Sequence, residues 1–229
     1  MMVIRAVILD FGGTLADGQI DWDEYHEAIH GLLKGLGFSV ELSRLKRAIA
    51  AALGRLERVR ARGDELKLEE VYAYALSKLG VPAEGEMLAM IHDLFRRHFR
   101  TTFYPCVEEV LGELSSRYRL ALLSNTMSDT PRVILKRTGL IDHFDLVVCS
   151  SDLGIRKPNP NIFQYVLDGL GVEADEAVHV GDSVEADMEG ASKVGIRAIL
   201  IRGAEASSWT GLAVKSICEL PALLAELDS

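Results

Sequence analysis

Short apolar runs alternate with amphipathic segments along most of the chain, and this alternation limits its fold more than any other feature. The apolar runs are residues 3–9, 120–123, 145–149, 177–180 and 198–201. The amphipathic segments between and after them are residues 105–117, 130–138, 158–170, 185–194 and 220–227. A strand that is apolar throughout must be covered on both faces, and strands separated by helices pair in parallel. The pattern therefore predicts an α/β fold with a parallel sheet between layers of helices.

One long segment, residues 18–100, follows a different pattern, because it contains no apolar run of the strand type. Its apolar residues recur every three or four positions in four stretches, which are interrupted near Gly37, Gly63 and Gly80. This spacing predicts four amphipathic helices that pack against one another. The predicted domains are residues 1–17 with 101–229 for the sheet domain and residues 18–100 for a four-helix bundle inserted after the first strand.

Polar side chains follow the predicted strands at the point where each strand ends. Asp10 follows the first strand, Ser124 with Asn125 follows the second, and Asp182 follows the fourth. Parallel sheets bind ligands beyond the carboxyl ends of their strands, which is where these residues meet. We therefore expect a site at this edge, although each of these residues taken singly also fits a turn or a helix cap.

The expected site contains several carboxylates and one amine. Asp10, Asp182 and Asp187 carry like charges that need a counterion, and Mg²⁺ prefers oxygen ligands of this kind. Lys157, in the sequence "GIRKPNP", can neutralise the same anion and restrain a nucleophile. The Ser124 hydroxyl and the backbone N–H groups of the glycine turn after the first strand can donate to the oxygens of a phosphate.

Taken together and in this order, these residues carry a resemblance to a known family. The sequence resembles the haloacid dehalogenase superfamily, whose four motifs match Asp10 in "DFGGT", Ser124 in "LLSNT", Lys157 in "RKPNP", and Asp182 with Asp187 in "GDSVEAD". The resemblance covers essentially the whole chain, and the helical insertion is similar to the α-helical C1 cap of subfamily I. It implies a Rossmann-like three-layer core with a helical-bundle cap inserted after the first strand.

The resemblance also implies roles for individual residues in a hydrolase. Asp10 is the expected nucleophile, which forms a covalent aspartyl intermediate, and Lys157 is expected to assist it. The expected Mg²⁺ ligands are Asp10, Asp182 and the Gly12 backbone carbonyl, with Asp187 supporting the metal site. The residues expected around the transferred group are Thr14, Ser124, Asn125 and Lys157.

Gly12 departs from the pattern of the phosphatases that the sequence resembles. Those enzymes carry a second aspartate two residues after the nucleophile, which protonates the leaving oxygen and later activates water. General acid–base help of this kind contributes about 10²- to 10⁴-fold in rate, or roughly 3–5 kcal/mol. Gly12 keeps its backbone carbonyl, so the expected metal ligand survives while the usual proton donor is lost.

Three functions are compatible with this departure. The first is a Mg²⁺-dependent phosphatase of a small phosphorylated metabolite, which borrows an acid or uses substrates that need none. The second is a relative that cleaves a phosphonate or a halide. Phosphonate-cleaving relatives carry a small residue where Gly12 stands and use a cap lysine as an imine former; Lys34 and Lys46 are available, but their sequence neighbours do not suggest the lowered pKa that imine formation needs. The retained "GDS" argues against halide cleavage, because the dehalogenases of this superfamily lack that aspartate and use no metal. The third is a weakened binding or regulatory module, against which the complete set of motifs argues.

Acidic residues at the start of the insertion are the nearest candidates for a replacement proton donor. Asp17, Asp21, Asp23 and His26 lie near the predicted hinge. Asp21 and Glu24, however, have the spacing of a capping box, and acids favour a helix N-terminus because of its dipole. We therefore assign no catalytic role to these residues.

The second predicted helix of the insertion carries a stripe of arginines. Arg44, Arg47, Arg55, Arg58 and Arg62 recur at spacings that place them on one side of the helix. The stripe fits a solvated basic face, and it also fits a contact with a substrate that has more than one anionic group.

Charge and cysteine content limit the partners of the chain. The 229 residues carry a formal net charge of −9, which argues against nucleic acid as a partner. No segment has the length of a membrane span or the pattern of a signal peptide. Cys106, Cys149 and Cys218 are odd in number and widely spaced, so we expect neither a disulfide framework nor a zinc site. We expect a cytoplasmic monomer or homodimer that binds a small phosphorylated molecule, and neither nucleic acid nor a membrane.

Overall fold

A computed structural model describes residues 3–201 and 208–228. The chain divides into two compact units. One unit, called the sheet unit below, contains Met1–Asp17 and Thr101–Ser229, and the other, called the helical unit, contains Gly18–Arg100. The chain changes from one unit to the other where the sequence pattern changes.

Most of the described residues belong to regular elements. The strands are β1 (Ala6–Leu9), β2 (Ala16–Ile20), β3 (Phe99–Phe103), β4 (Arg119–Ser124), β5 (Leu146–Cys149), β6 (Ala177–Gly181), β7 (Arg197–Ile201) and β8 (Leu212–Val214). The helices are α1 (Trp22–Gly35), α2 (Leu42–Arg60), α3 (Leu68–Lys78), α4 (Gly85–His98), α5 (Val107–Ser115), α6 (Thr130–Thr138), α7 (Ser150–Leu153), α8 (Pro160–Leu170), α9 (Gly190–Lys193) and α10 (Leu220–Leu227). Over residues 3–201 and 208–228, no helix is long and apolar enough to cross a membrane.

Six strands of the sheet unit form one parallel sheet, which confirms the predicted α/β fold. The strand order is β5-β4-β1-β6-β7-β8, and each neighbouring pair is parallel. Leu9 at the end of β1 pairs with Leu122 of β4 on one side and with Val180 of β6 on the other. The strand order reverses at β1, and the crevice at such a reversal is where open parallel sheets bind ligands.

The sheet is covered by helices, and its central strands are fully buried. Every residue of β1 and β6 is buried. Ile8 of β1 lies in one apolar cluster with Phe163 and Val166 of α8 and with Met188. Each fully buried side chain of this type contributes about 1.5–3 kcal/mol to folding. The central strands therefore hold the residues that follow them in fixed positions.

The helical unit contains the four helices predicted for the insertion. Helices α1, α2 and α3 end before Gly37, Gly63 and Gly80, where the sequence indicates the breaks. Tyr25 of α1 is fully buried, and its ring lies 5.8 Å from that of Tyr72 and 5.6 Å from that of Phe95. An aromatic cluster therefore joins three of the four helices.

Several short elements have no counterpart in the sequence-based prediction. Strands β2 and β3 pair with each other in a separate two-stranded sheet where the chain passes between the units. Most of β2 is exposed, so its sequence lacks the apolar run by which the other strands are recognised. The helix predicted over residues 185–194 divides into a π-helical turn, Val184–Glu189, and α9.

The cysteine expectation is wrong, because Cys106 and Cys218 form a disulfide. Their Cα atoms lie 5.8 Å apart although 112 positions separate them in the sequence. The fold brings the start of α5 next to the segment before α10, and sequence spacing does not reveal an approach between such distant segments. Cys149 is buried and free.

Loss of this disulfide is expected to lower the stability of the sheet unit. A cross-link that closes a loop of this length removes conformational entropy from the unfolded chain and contributes roughly 2–4 kcal/mol. We expect Cys218→Ser to lower the free energy of unfolding by that amount in urea titrations. Reductant should lower the Tm of the wild type and leave that of the variant unchanged; equal sensitivity to reductant would contradict the assignment.

Candidate functional site

Three carboxylates meet at the carboxyl edge of the sheet. Asp10 directly follows β1, and Asp182 directly follows β6, the adjacent strand. The Asp10 backbone N–H donates to the Val180 carbonyl at 2.9 Å, which extends the pairing of the two strands to the site. One carboxylate oxygen each from Asp10, Asp182 and Asp187 lies within 4.8 Å of the others. The sheet thus brings together the three acids that the sequence analysis singled out.

Two glycines permit this close approach, and Gly12 is not one of them. Gly13 has a φ of +72°, and a Cβ atom there would lie 2.1 Å from Asp182 Oδ2. A Cβ atom on Gly181 would lie 2.3 Å from Asp187 Cγ. A Cβ atom on Gly12, in contrast, would have no atom within 4 Å. The second glycine of "DFGGT" is therefore required by geometry, whereas the space next to the first is open.

Lys157 is buried within the carboxylate cluster. Its side chain is 1% exposed, and its Nζ donates to Asp10 Oδ1 at 2.7 Å and to Asp187 Oδ1 at 2.6 Å. The third hydrogen bond goes to the Leu123 carbonyl at 2.8 Å. An ammonium group has three hydrogens, so Lys157 is fully used in neutralising and orienting these two carboxylates.

Ser124 and Asn125, at the end of β4, differ in their hydrogen bonds. The Asn125 side-chain Nδ2 donates to the Lys157 carbonyl, and its Oδ1 accepts from the Lys157 backbone N–H, both at 2.9 Å. Asn125 therefore fixes the backbone that carries Lys157. Ser124 makes no side-chain hydrogen bond to the residues that the structure describes. Among the same residues the buried Thr14 hydroxyl has no partner either, so neither hydroxyl is committed to a protein acceptor.

Asp187 is held by three donors. Its Oδ1 accepts from Lys157 Nζ and, at 2.9 Å, from His179 Nε2, while its Oδ2 accepts from the Ser183 backbone N–H at 3.0 Å. His179, whose side chain contacts the carboxylate cluster, is the residue that the sequence analysis missed. The sequence feature that could have revealed His179 is its position as a single polar residue in the otherwise apolar strand "AVHVG".

The electrostatics of the cluster follow from burial and from an excess of negative charge. Burial, opposed by Lys157 and reinforced by Asp187, raises the pKa of Asp10 to about 7. Desolvation and the charge of Asp187 also raise the pKa of Asp182. Burial opposes the ionisation of Asp187, but Lys157 and His179 hold its pKa well below the usual range. Three acids face one ammonium, and this hard oxygen donor set fits Mg²⁺.

The hinge acids each have a structural partner. The Tyr104 hydroxyl donates to Asp17 Oδ1 at 2.5 Å. Asp21 caps α1, because its carboxylate accepts from two backbone N–H groups of the first turn. Asp23 Oδ1 accepts from Lys46 Nζ at 2.5 Å. Asp21 thus has the capping role that the sequence predicts, and the other two acids are paired with side chains.

The basic residues of the helical unit divide into paired and unpaired groups. The hydrogen bond that Lys46 donates to Asp23 raises the pKa of Lys46, which is the opposite of what imine formation requires. Arg55 lies over the Tyr74 ring at 5.2 Å. The arginines of the helical unit that are exposed and make no ion pair within the described residues are Arg44, Arg47, Arg58, Arg62 and Arg97.

Known proteins with similar sequences include two phosphatases. A phosphoserine phosphatase from Thermus thermophilus is 38% identical over 135 residues, which are 58% of this chain and 53% of that protein, so the chain spans about half the length of this relative. A ribulose-1,5-bisphosphate 5-phosphatase from Halopiger xanaduensis is 33% identical over 172 residues, 72% of each chain.

The fold and the family follow from two further comparisons. The crystal structure of a 2-haloacid dehalogenase from Pseudomonas syringae matches with a TM-score of 0.76 and 24% identity, covering 98% of this chain and 100% of that one. At this identity the likeness shows the fold alone. The family described as haloacid dehalogenase-like hydrolase matches residues 4–195. The chain belongs to the haloacid dehalogenase-like hydrolase family.

Proposed function

We propose that the chain is a Mg²⁺-dependent phosphatase that acts on a small phosphorylated metabolite through an aspartyl-phosphate intermediate on Asp10. The observation that carries the proposal is the meeting of Asp10, Lys157, Asp182 and Asp187 at the carboxyl edge of one sheet. The phosphatase names of the two relatives support the reaction class. The proposal covers the reaction class alone and does not extend to the substrate of either relative.

In the proposed reaction Asp10 attacks phosphorus, and the leaving oxygen departs from the opposite side. Lys157 donates to Asp10 Oδ1, so it holds the carboxylate in one orientation and leaves Oδ2 as the attacking atom. Ser124 and Thr14 then donate to phosphoryl oxygens, which spreads the charge that develops in the transition state. Water subsequently hydrolyses the aspartyl phosphate and restores Asp10.

Asp10, Asp182 and the Gly12 carbonyl are the proposed holders of Mg²⁺. Bound there, the cation supplies charge neutralisation for the transferred group. We assign Asp187 to holding Lys157, because its oxygens already accept three hydrogen bonds from the protein. Asp187 therefore supports the metal site indirectly, through the lysine that balances the charge of Asp10.

The identity of residue 12 restricts the proposed substrates. Without an acid at Gly12, leaving groups that are stable as anions react faster than those that need a proton. Aryl, enol and acyl phosphates are of the first kind, and alkyl phosphates are of the second. The phosphonate alternative loses support from Lys46, which is paired with Asp23.

The test is a panel of phosphorylated metabolites, one phosphonate and one 2-haloacid, assayed with and without Mg²⁺. The proposal expects phosphate release from members of the phosphate series only when Mg²⁺ is present. Halide release without metal would replace the proposal with dehalogenation, and phosphonate cleavage would replace it with imine chemistry. Phosphate binding without turnover of any member would favour a regulatory module.

Mg²⁺ binding is expected to weaken as the pH falls. Asp10 has a raised pKa of about 7 in the absence of metal, so below that pH the cation must displace a proton. We expect the apparent affinity at pH 6 to be up to about tenfold weaker than at pH 8, with proton release measured by calorimetry in buffers of different ionisation enthalpy. Asp182→Asn should weaken binding at both values; a pH-independent affinity would contradict the assignment of Asp10 as a ligand.

Net charge and the disulfide bear on the partners and the location of the protein. We propose a small molecule as the substrate, with no nucleic acid or membrane as partner, because the net charge of −9 repels both phosphate backbones and anionic lipids. A monomeric or homodimeric state stays a prediction that sedimentation can test. A cytoplasmic location also stays a prediction, and the Cys106–Cys218 disulfide argues against a strongly reducing one.

A further inference from the structure

We propose that His179 is a positioning residue, which acts through Asp187 to hold the Lys157 ammonium group against Asp10. The inference rests on the proposed function of this site. It assigns a role to a side chain that belongs to none of the four sequence motifs, and it follows from the hydrogen bonds beneath the carboxylate cluster.

His179 occupies the middle of the sheet. It lies in β6, where it pairs with Ile8 of β1, and no part of its side chain is exposed. The Phe163 ring meets the imidazole edge-on, with centroids 5.3 Å apart. Burial of an imidazole in an apolar strand costs desolvation free energy unless the ring is hydrogen-bonded. His179 therefore needs a hydrogen-bond partner within the protein.

That partner is Asp187. An ionised carboxylate only accepts hydrogen bonds, so the 2.9 Å contact requires that His179 Nε2 carries the hydrogen. The same oxygen, Oδ1, also accepts from Lys157 Nζ at 2.6 Å. The Ser183 backbone N–H holds the other oxygen. The three donors together fix both the position and the rotation of the carboxylate.

Lys157 depends on this carboxylate for one of its three acceptors. If the donor on His179 is removed, Lys157 Nζ is the one side-chain donor left to Asp187. The Asp187 carboxylate can then turn about its Cβ–Cγ bond toward Lys157. The Nζ atom would then move with Asp187 Oδ1, away from the 2.7 Å contact with Asp10 Oδ1. We expect this displacement to lower kcat, because the orientation of Asp10 matters for attack, and to leave KM nearly unchanged.

The matched variants are His179→Gln, His179→Asn and His179→Met. Glutamine places an amide N–H where Nε2 lies, whereas the shorter asparagine cannot reach Asp187, and methionine fills the volume without a donor. We expect kcat to fall about 10- to 100-fold in the Asn and Met variants and to remain within about threefold in the Gln variant. Equal loss of kcat in the Gln and Asn variants, at equal Tm, would overturn the proposal.

A second measurement works even if the chain has no phosphatase activity. In metal-free, ¹⁵N-labelled protein, the buried Lys157 ammonium group should give a protected NMR signal, assigned by its absence from Lys157→Met. The signal should persist in His179→Gln and be shifted or lost in His179→Asn. An unchanged signal in both variants would overturn the positioning role, whereas inactivity of the wild type alone would overturn only the proposed function. If His179→Met does not fold, the comparison of His179→Gln with His179→Asn still decides the result.

Discussion

Replacement of Asp10 by asparagine is expected to lower the turnover of an aryl phosphate by roughly 10³-fold or more, because the amide cannot form the aspartyl phosphate. The substitution keeps the size of the side chain and an oxygen that accepts from Lys157 Nζ, so the packing of the cluster should survive. Initial rates with saturating Mg²⁺ measure the effect. The site would then retain substrate binding while losing its nucleophile.

Asp142→Asn is the matched control for this substitution. Asp142 belongs to the sheet unit and is exposed, so the same chemical change there should leave turnover unaltered. The wild type, quenched during turnover, should carry phosphate on the peptide that contains Asp10. Undiminished activity of Asp10→Asn would reject the covalent step, and phosphate found on another peptide would assign a different nucleophile.

Gly12→Asp is expected to raise the turnover of alkyl phosphates by about 10²-fold or more and to change that of aryl phosphates little. Gly12 does not adopt a left-handed φ, and a Cβ atom there meets no atom within 4 Å. An aspartate therefore fits beside Asp10, where it can protonate a leaving oxygen. The gain should be largest where the leaving group is the poorest, because a proton matters most there.

Two control variants test whether the gain in turnover comes from the added acid at position 12. Gly12→Ala tests whether filling the space is harmful in itself, and it should leave the rates near those of the wild type. Gly13→Asp should lose activity, because its Cβ would lie 2.1 Å from Asp182 Oδ2. A uniform loss in Gly12→Asp and Gly12→Ala would mean that substrate occupies the space next to Gly12, which would contradict the idea of a missing acid.

The approach of Asp10 and Asp182 could be predicted from the sequence because both follow short, predominantly apolar strands. The carboxyl ends of parallel strands lie at one edge, so the location does not depend on how many residues separate the two acids. The four helices of the insertion could be predicted for a similar reason, since helical periodicity is a local property. Local patterns and one topological rule therefore account for the fold and for the acids of the site.

The hydrogen bonds within the site could not be predicted in the same way. The sequence predicts Asn125 near the transferred group, but it does not indicate that the Asn125 amide also holds the Lys157 backbone. His179 lies on a buried strand, where a single polar residue gives no indication of its partner. The disulfide between Cys106 and Cys218 joins segments whose proximity depends on the whole sheet. Such contacts require three-dimensional coordinates because their partners are remote in the sequence.

The central position of β1 has a consequence for how the protein acquires its structure during synthesis. β1 is made first, but its neighbours in the sheet, β4 and β6, begin only at Arg119 and Ala177. The helical unit is complete once Arg100 has left the ribosome, and its contacts are close in sequence, so it is expected to form while β1 still lacks both partners. β1, which Asp10 directly follows, thus stays without a strand partner until β4 has been synthesised, and during that interval it is a target for chaperones that shield exposed apolar segments.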